Sequence, residues 1–502
     1  MSRGLILVNA CGIAIIWVFF AQLTRGNVVP HPWDLAHAIV SVSGEAFASL
    51  LSTLLLSAAA IALTVFLALC ISVGVHALRI PQWPFENLLF IGYLGPIIII
   101  GPIISAIIPP PWSALAIGII TIGYPIYSLI RKTLEQIASR RRFIGSAYGA
   151  TNWKKMRHLV LPALIPILFT ALRFSLPWAT LGIMVGESLG SRSGFGVFIL
   201  GTLSRSDAPR LWAACVIVFA VIGGISWIVH QIENRLQMHY ADSESTEDAT
   251  APIIDQSMFG VTFVFVLVLC ALQVADHILV PQSSLVIGPQ RLFEYFRMEP
   301  GELWAMIAAA RSTIWLASVG LAVSLVTGII WGALPRNGTP AFWLSATLLP
   351  FQFIPIVAGV PLLGLLFGRT DLATVFVVVL ATVYPIYINV ATQLASVPPG
   401  LGKLPKLYDA RLILRLRYVY KYWLILGAIR GFRAAAPRAV LGAVLSESFL
   451  TGGGLGWFVY EARGKLHFEA IWLALTFVIL FALLLDALVH LAERQVTRLT
   501  IS

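Results

Sequence analysis

The chain has 502 residues, of which 58% are apolar and 11% charged, and its mean hydropathy is +0.88. These values lie far outside the range of soluble domains and exclude one. The net charge of +11 is read here as basic cytoplasmic loops rather than a nucleic-acid surface, because Lys and Arg concentrate there in membrane chains.

Apolar runs of about 20 residues are what a helix needs to cross lipid, since any other open backbone would leave polar groups unpaired. About twelve such runs are predicted. Six come first, near 5–23, 49–77, 88–108, 112–131, 162–187 and 211–231. The first has a basic start but is too long for a secretory h-region and is followed by no A-x-A site, so an uncleaved span is expected. An acidic stretch follows (YADSESTEDATAPIIDQ), with five carboxylates and no Lys or Arg. That composition cannot bury itself and predicts a linker. Six further runs lie near 258–280, 308–334, 341–366, 372–394, 424–447 and 469–491. The expected organisation is a first repeat at 1–239, a linker at 240–257 and a second repeat at 258–502. Of the sixteen Lys and Arg in residues 1–240, eleven fall on the side that also holds both termini, the linker and the 131–157 loop. That side is expected to be the cytoplasm.

A shift of 260 residues overlays the halves. Ser52-Thr53 falls on Ser312-Thr313, Tyr124-Pro125-Ile126-Tyr127 on Tyr384-Pro385-Ile386-Tyr387, Arg173 on Arg433, and Glu187-Ser188 on Glu447-Ser448. Gly194 and Gly196 fall on Gly454 and Gly456, Trp212 on Trp472, and His230 on His490. This is a tandem duplication of a six-span unit. Its even span count keeps the orientation, so a pseudo-two-fold axis along the membrane normal is the expected place for a solute path.

In the basic loop of the first half, Gly149-Ala150-Thr151 and Trp153 precede Leu161-Pro162, with the proline thirteen residues after the glycine. Proline ends one helix and is tolerated at the start of the next, so the spacing describes a short helix, a break and a new span. This pattern resembles the cytoplasmic coupling loop (the EAA motif) of permease subunits of ABC importers. Leu172-Arg173, Gly186-Glu187-Ser188, the paired G-x-G sequences and the tail LLLDALVHLAERQVTRL are similar to the nitrate/sulfonate/taurine branch of those permeases. The resemblance implies an all-α fold with two parallel six-helix repeats, of the type I ABC importer kind. It also implies two cytoplasmic ATPase subunits carrying ATP and Mg, an extracytoplasmic substrate-binding protein, and a multi-pass chain in the inner membrane. The solute it implies is a small anionic or sulfur- or nitrogen-containing nutrient.

By the same resemblance, Gly145, Ala147, Gly149, Ala150, Trp153, Leu161 and Pro162 form the coupling loop, with Asp409 and Ala410 at the corresponding place in the second half. This chain departs from the family pattern at Phe143-Ile144-Gly145, where the leading glutamate and alanines belong. In the second half Asp409 replaces the glycine and Lys421-Tyr422 the Leu-Pro pair. The two halves are therefore expected to dock their motors unequally. No G-x-x-x-x-G-K-[ST] occurs in the chain, which places the motor on separate polypeptides.

Arg173, Arg433, Glu187 and Glu447 are the candidates for the path, because an ionisable group at membrane depth is costly. Arg and Glu of one span are fourteen residues apart, about 21 Å along a helix, so each needs a partner elsewhere. Either the arginines face the path and the glutamates its outer mouth, or all four brace helix ends through backbone carbonyls or the opposite half. His230, Glu233, His490 and Glu493 are expected as interfacial anchors, and Arg131 with Glu135 as a surface pair. The Pro- and Gly-rich third span of each half is expected to be kinked and placed inside the bundle. An ion-gradient-driven transporter of twelve spans is the alternative; against it, the spans are read as lacking carboxylates at mid-depth. No cofactor, metal site, disulfide or catalytic cluster is expected in the chain.

Overall fold

The computed structural model describes residues 17–19, 21–24, 28–78, 80–147, 161–205, 207–240, 258–279, 285–334, 356–398, 400–401, 414 and 419–501. Among them the first half contains α1 (Pro32–Leu78), α2 (Trp83–Leu94), α3 (Ile97–Ile107), α4 (Trp112–Ala147), α5 (Leu161–Gly190), α6 (Phe195–Ser204) and α7 (Ala208–Tyr240). The second half contains α8 (Met258–Leu279), α9 (Pro289–Met298), α10 (Pro300–Gly332), α11 (Ile356–Phe367), α12 (Asp371–Ala395), α13 (Lys421–Phe449), α14 (Gly454–Gly464) and α15 (Phe468–Ile501). Among the described residues eight helices are long and apolar enough to cross a membrane, and ten spans result if each of two bent pairs counts as one. The other two predicted runs, 5–23 and 341–366, lie partly outside the described residues.

The helices turn apolar faces outward as well as inward. Leu480, Leu484, Leu488 and Leu491 are all more than 45% exposed on α15, and their spacing puts them on one stripe of the helix. A stripe of this kind is stable only against lipid.

Between helices, close approach rather than water exclusion supplies the attraction, and small residues make it possible. Gly320, Gly328 and Gly332 of α10 lie where an added Cβ would come within 2.6–2.7 Å of Val378, Ile386 and Val390 of α12. Gly427 and Gly431 of α13 meet the backbone of the same helix at Val390 and Ile386, with 2.8 Å left for a Cβ.

The third span of the first half breaks at Gly95-Pro96. The glycine is extended (φ −69°, ψ 122°), as the residue before a proline is biased to be, and α2 and α3 diverge by 101°. The broken piece crosses the seam: α3 lies against α13, α14 and α15 of the second half, and its counterpart α11 lies against α5, α6 and α7 of the first. This reciprocity is that of a two-fold arrangement. A single apolar core runs through the seam and includes Phe90, Leu94 and Ile98 together with Val440, Leu475 and Val478.

Candidate functional site

The duplicated glutamates each build a turn. Thr53 donates to Glu187 at 2.7 Å and receives the Phe195 amide at 2.9 Å, while the Gly196 amide donates to Glu187 at 2.9 Å. Thr313 donates to Glu447 at 2.7 Å, the Leu455 amide to Thr313 at 2.8 Å, and the Gly456 amide to Glu447 at 3.1 Å. The free amides at the start of a helix attract negative charge, so these carboxylates cap α6 and α14.

The glycines follow from that geometry. Gly194 (φ +117°) and Gly454 (φ +84°) adopt conformations that disfavour side chains, and a Cβ on either would lie 2.1–2.2 Å from the capping carboxylate carbon. Glu187 and Glu447 are 2% and 0% exposed. The structure places both inside the protein rather than lining an open mouth.

Among the described residues, the carboxylates that meet the arginines lie on the last helix of their own half, rather than on backbone carbonyls or on the opposite half. Arg173 pairs with Glu233 at 3.3 Å and donates to His230 Nδ1, and Thr170 donates to the same carboxylate. Arg433 meets Asp486 at 2.8 Å and Glu493 at 3.6 Å, and Arg430, at the position of Thr170, meets Glu493 at 3.1 Å. Glu233 is 3% exposed, so it is an internal counter-charge and not the interfacial anchor expected from its place near the span end.

Asp486 is a carboxylate inside the 469–491 run, nearer its C-terminal end than its middle, and its ion pair with Arg433 is one that sequence reasoning did not assign. Its only signal was one aspartate within LLLDALVHL. Its counterpart in the first half is Ser226. Arg131 bonds the exposed Glu135 at 3.4 Å, as the one-turn spacing predicts, and also the buried Glu86 at 3.1 Å.

Each half leans on the other through its repeated tyrosine. Tyr124 lies within electrostatic reach of Arg433, and Tyr384 within reach of Arg173. A third cation, Arg438, was missed by sequence reasoning. It stands five residues after Arg433, and its guanidinium carbon lies 4.7 Å from the centre of the Trp178 ring in the opposite half.

At the end of the bundle where α5 terminates, a cavity of about 700 Å³ opens between the halves. The first half contributes Pro102, Ser105 and Leu189, and the second Tyr460, Arg463 and Lys465. Arg463 bridges the seam there by donating to the Leu189 carbonyl. At the rim, the ion pair of Lys465 with Glu461 at 2.8 Å holds the lysine ammonium above its usual range.

Of the predicted coupling loop, Gly145 and Ala147 belong to the last turn of α4, and Leu161 and Pro162 open α5. In the second half α13 opens at Lys421, the same register, without a proline. Gly149, Ala150, Trp153, Asp409 and Ala410 lie outside the described residues.

A family profile described as the binding-protein-dependent transport system inner membrane component matches residues 66–238 and again 324–498. The chain belongs to that family, the permeases of ABC importers. It is 34% identical over 160 residues to the riboflavin transport system permease protein RibX of Chloroflexus aurantiacus, a match covering 31% of this chain and 60% of that one. It is 23% identical to the formylaminopyrimidine transport permease protein ThiX of Halalkalibacterium halodurans, over 45% of this chain and 91% of the relative. It is 26% identical to the nitrate import permease protein NrtB of Leptolyngbya laminosa, over 42% and 75%. Each of these relatives thus aligns with less than half of this chain.

Proposed function

We propose that the chain is the complete transmembrane permease of an ATP-driven importer, with both pore halves in one polypeptide. Residues 1–239 and 258–502 form the halves, and 240–257 is a cytoplasmic linker between them. Two ATPase subunits, carrying ATP and Mg, dock at the loops around Gly149 and Asp409, and their closure rotates the halves to expose the seam alternately to either side. The termini are cytoplasmic and the membrane is the inner one. The 700 Å³ cavity at Leu189 and Arg463 then faces outward, where a substrate-binding protein delivers a small anionic or sulfur- or nitrogen-containing nutrient.

The observation that carries this reading is the hydrogen-bonded Thr-Glu-Gly turn, built twice at a register of 260 residues. Single-half relatives each fit one copy, so a chain holding two supports a pore that needs no second permease subunit. The ion-driven alternative needs a free carboxylate inside a span, and Asp486 is held by Arg433.

The test is co-purification of the full chain with its candidate ATPase, comparing wild type, Gly149→Asp and Asp409→Arg. The expected result is association that Gly149→Asp weakens more than Asp409→Arg does. If no ATPase associates under any condition, the importer reading fails and the ion-driven transporter replaces it.

A further inference from the structure

The register of 260 residues carries Trp178 onto Arg438, and these two residues touch. In a two-fold arrangement, a position contacts its own equivalent only where it lies beside the axis. Trp178 and Arg438 therefore mark the axis of the seam. Trp178 also falls halfway along the span Ile167–Gly190, so the pair sits at mid-depth. The duplicated unit has diverged at this place into one aromatic ring and one cation.

Arg438 differs from the neighbouring arginines in its company. Arg131, Arg173, Arg430 and Arg433 all meet carboxylates. Among the described residues Arg438 meets none, and its buried Nε, like those of Arg131 and Arg173, has no hydrogen-bond partner. A cation at this depth is costly and marks a solute path or a structural pair, and the ring supplies only the weaker cation–π attraction. The ring and the guanidinium, in contact across the seam, close it here.

We propose that Arg438 is the counter-charge for a small mono-anionic solute on the axis of the permease, and that Trp178 occupies the solute's place while the seam is closed. This deepens the permease reading and rests on it. When the halves part, the ring leaves the guanidinium, and a small oxyanion that offers two oxygens side by side, such as a carboxylate, sulfonate or nitrate, fits its donor fork. Because the anion binds the parted state better than the closed one, it shifts the population toward parting. One unpaired cation on the axis sets one anion per chain.

The test uses the purified full chain alone in detergent, titrated with nitrate or with methanesulfonate at constant ionic strength, chloride, which has no oxygens for the fork, being the balancing anion. Thermal midpoint and tryptophan emission are followed. Wild type is expected to show a saturable response. Arg438→Gln is expected to bind roughly tenfold or more weakly, as loss of a charged hydrogen-bond partner implies, with Arg438→Lys intermediate. Trp178→Leu is expected to bind several-fold more tightly, because it removes the competing ring, whereas a purely structural clasp gives no gain. Arg369→Gln, at an exposed arginine, is expected to match wild type. Where Arg438→Gln lowers the midpoint without ligand, Arg438→Lys and Trp178→Leu decide. No saturable response in wild type, Arg438 variants that bind like wild type, or weaker binding by Trp178→Leu would each overturn the proposal. No ATPase enters this measurement, so its failure is separable from failure of the co-purification.

Discussion

Arg463 donates to the carbonyl of Leu189, 274 residues earlier in the chain, and so ties α14 of one half to the C-terminal end of α5 in the other. The last carbonyls of a helix have no partner within it, and a cation there also meets the negative end of its dipole. The first half has Leu203 at the position of Arg463, so the tie is made once.

Arg463→Gln is expected to loosen this end of the seam at a cost of about 1.5–3 kcal/mol, the range for a hydrogen bond to a charged group. A cysteine introduced at Ala106, in the wall of the same cavity, should react faster with an impermeant maleimide in that variant. Equal rates would show that the bond does not hold the halves together.

Gly194→Ala and Gly454→Ala should be equally damaging. Each puts a Cβ against the capping glutamate and forces a left-handed backbone on alanine, a strain of about 1–3 kcal/mol before the steric clash is counted. Thermal unfolding of the purified chain measures both. A large effect at one glycine and none at the other would contradict the equivalence of the two turns.

Asp486→Asn leaves the nearly buried Arg433 without its nearest counter-charge. Breaking a buried pair from one side costs about 3–5 kcal/mol, whereas replacing both partners with apolar residues is often neutral. Asp486→Leu combined with Arg433→Met should therefore be more stable than Asp486→Asn alone, and a double-mutant cycle on chemical unfolding reads the difference.

Gly431→Ala should push α12 and α13 apart, because the added Cβ would lie 2.8 Å from the Ile386 backbone. The expected loss is about 1–3 kcal/mol. Gly201→Ala, in α6 with nothing within 4 Å, should instead gain up to about 1 kcal/mol from helix propensity. The two melting midpoints should move in opposite directions.

Much of the architecture was legible without coordinates because it is encoded locally. A run of 20 apolar residues has one stable form in lipid, and a duplication preserves its register, so apolar spans, the repeat and a kink in the Pro- and Gly-rich third span could be read along the chain, but not that the kink is a 101° break at Gly95-Pro96. The G-x-G sequences were visible too, but their reason was not: Glu187 precedes Gly194 by seven residues, and only the fold brings Thr53 to the same point. The four charged candidates were found as residues, yet their partners lie 53–60 residues away for the arginines and 134 for the glutamates.

The sequence by itself determined that this is a polytopic helical membrane protein, that it holds two copies of one unit, and which family the unit resembles, since each rests on composition or spacing. The tertiary structure decided that Arg173 and Arg433 are neutralised within their own halves, that Glu187 and Glu447 cap helices, and that Trp178 meets Arg438 across the axis. The physical reason is that a charge in a span must find a partner, but hydropathy sets only its depth. Which neighbour it finds depends on the rotation and crossing of helices that are far apart in the chain.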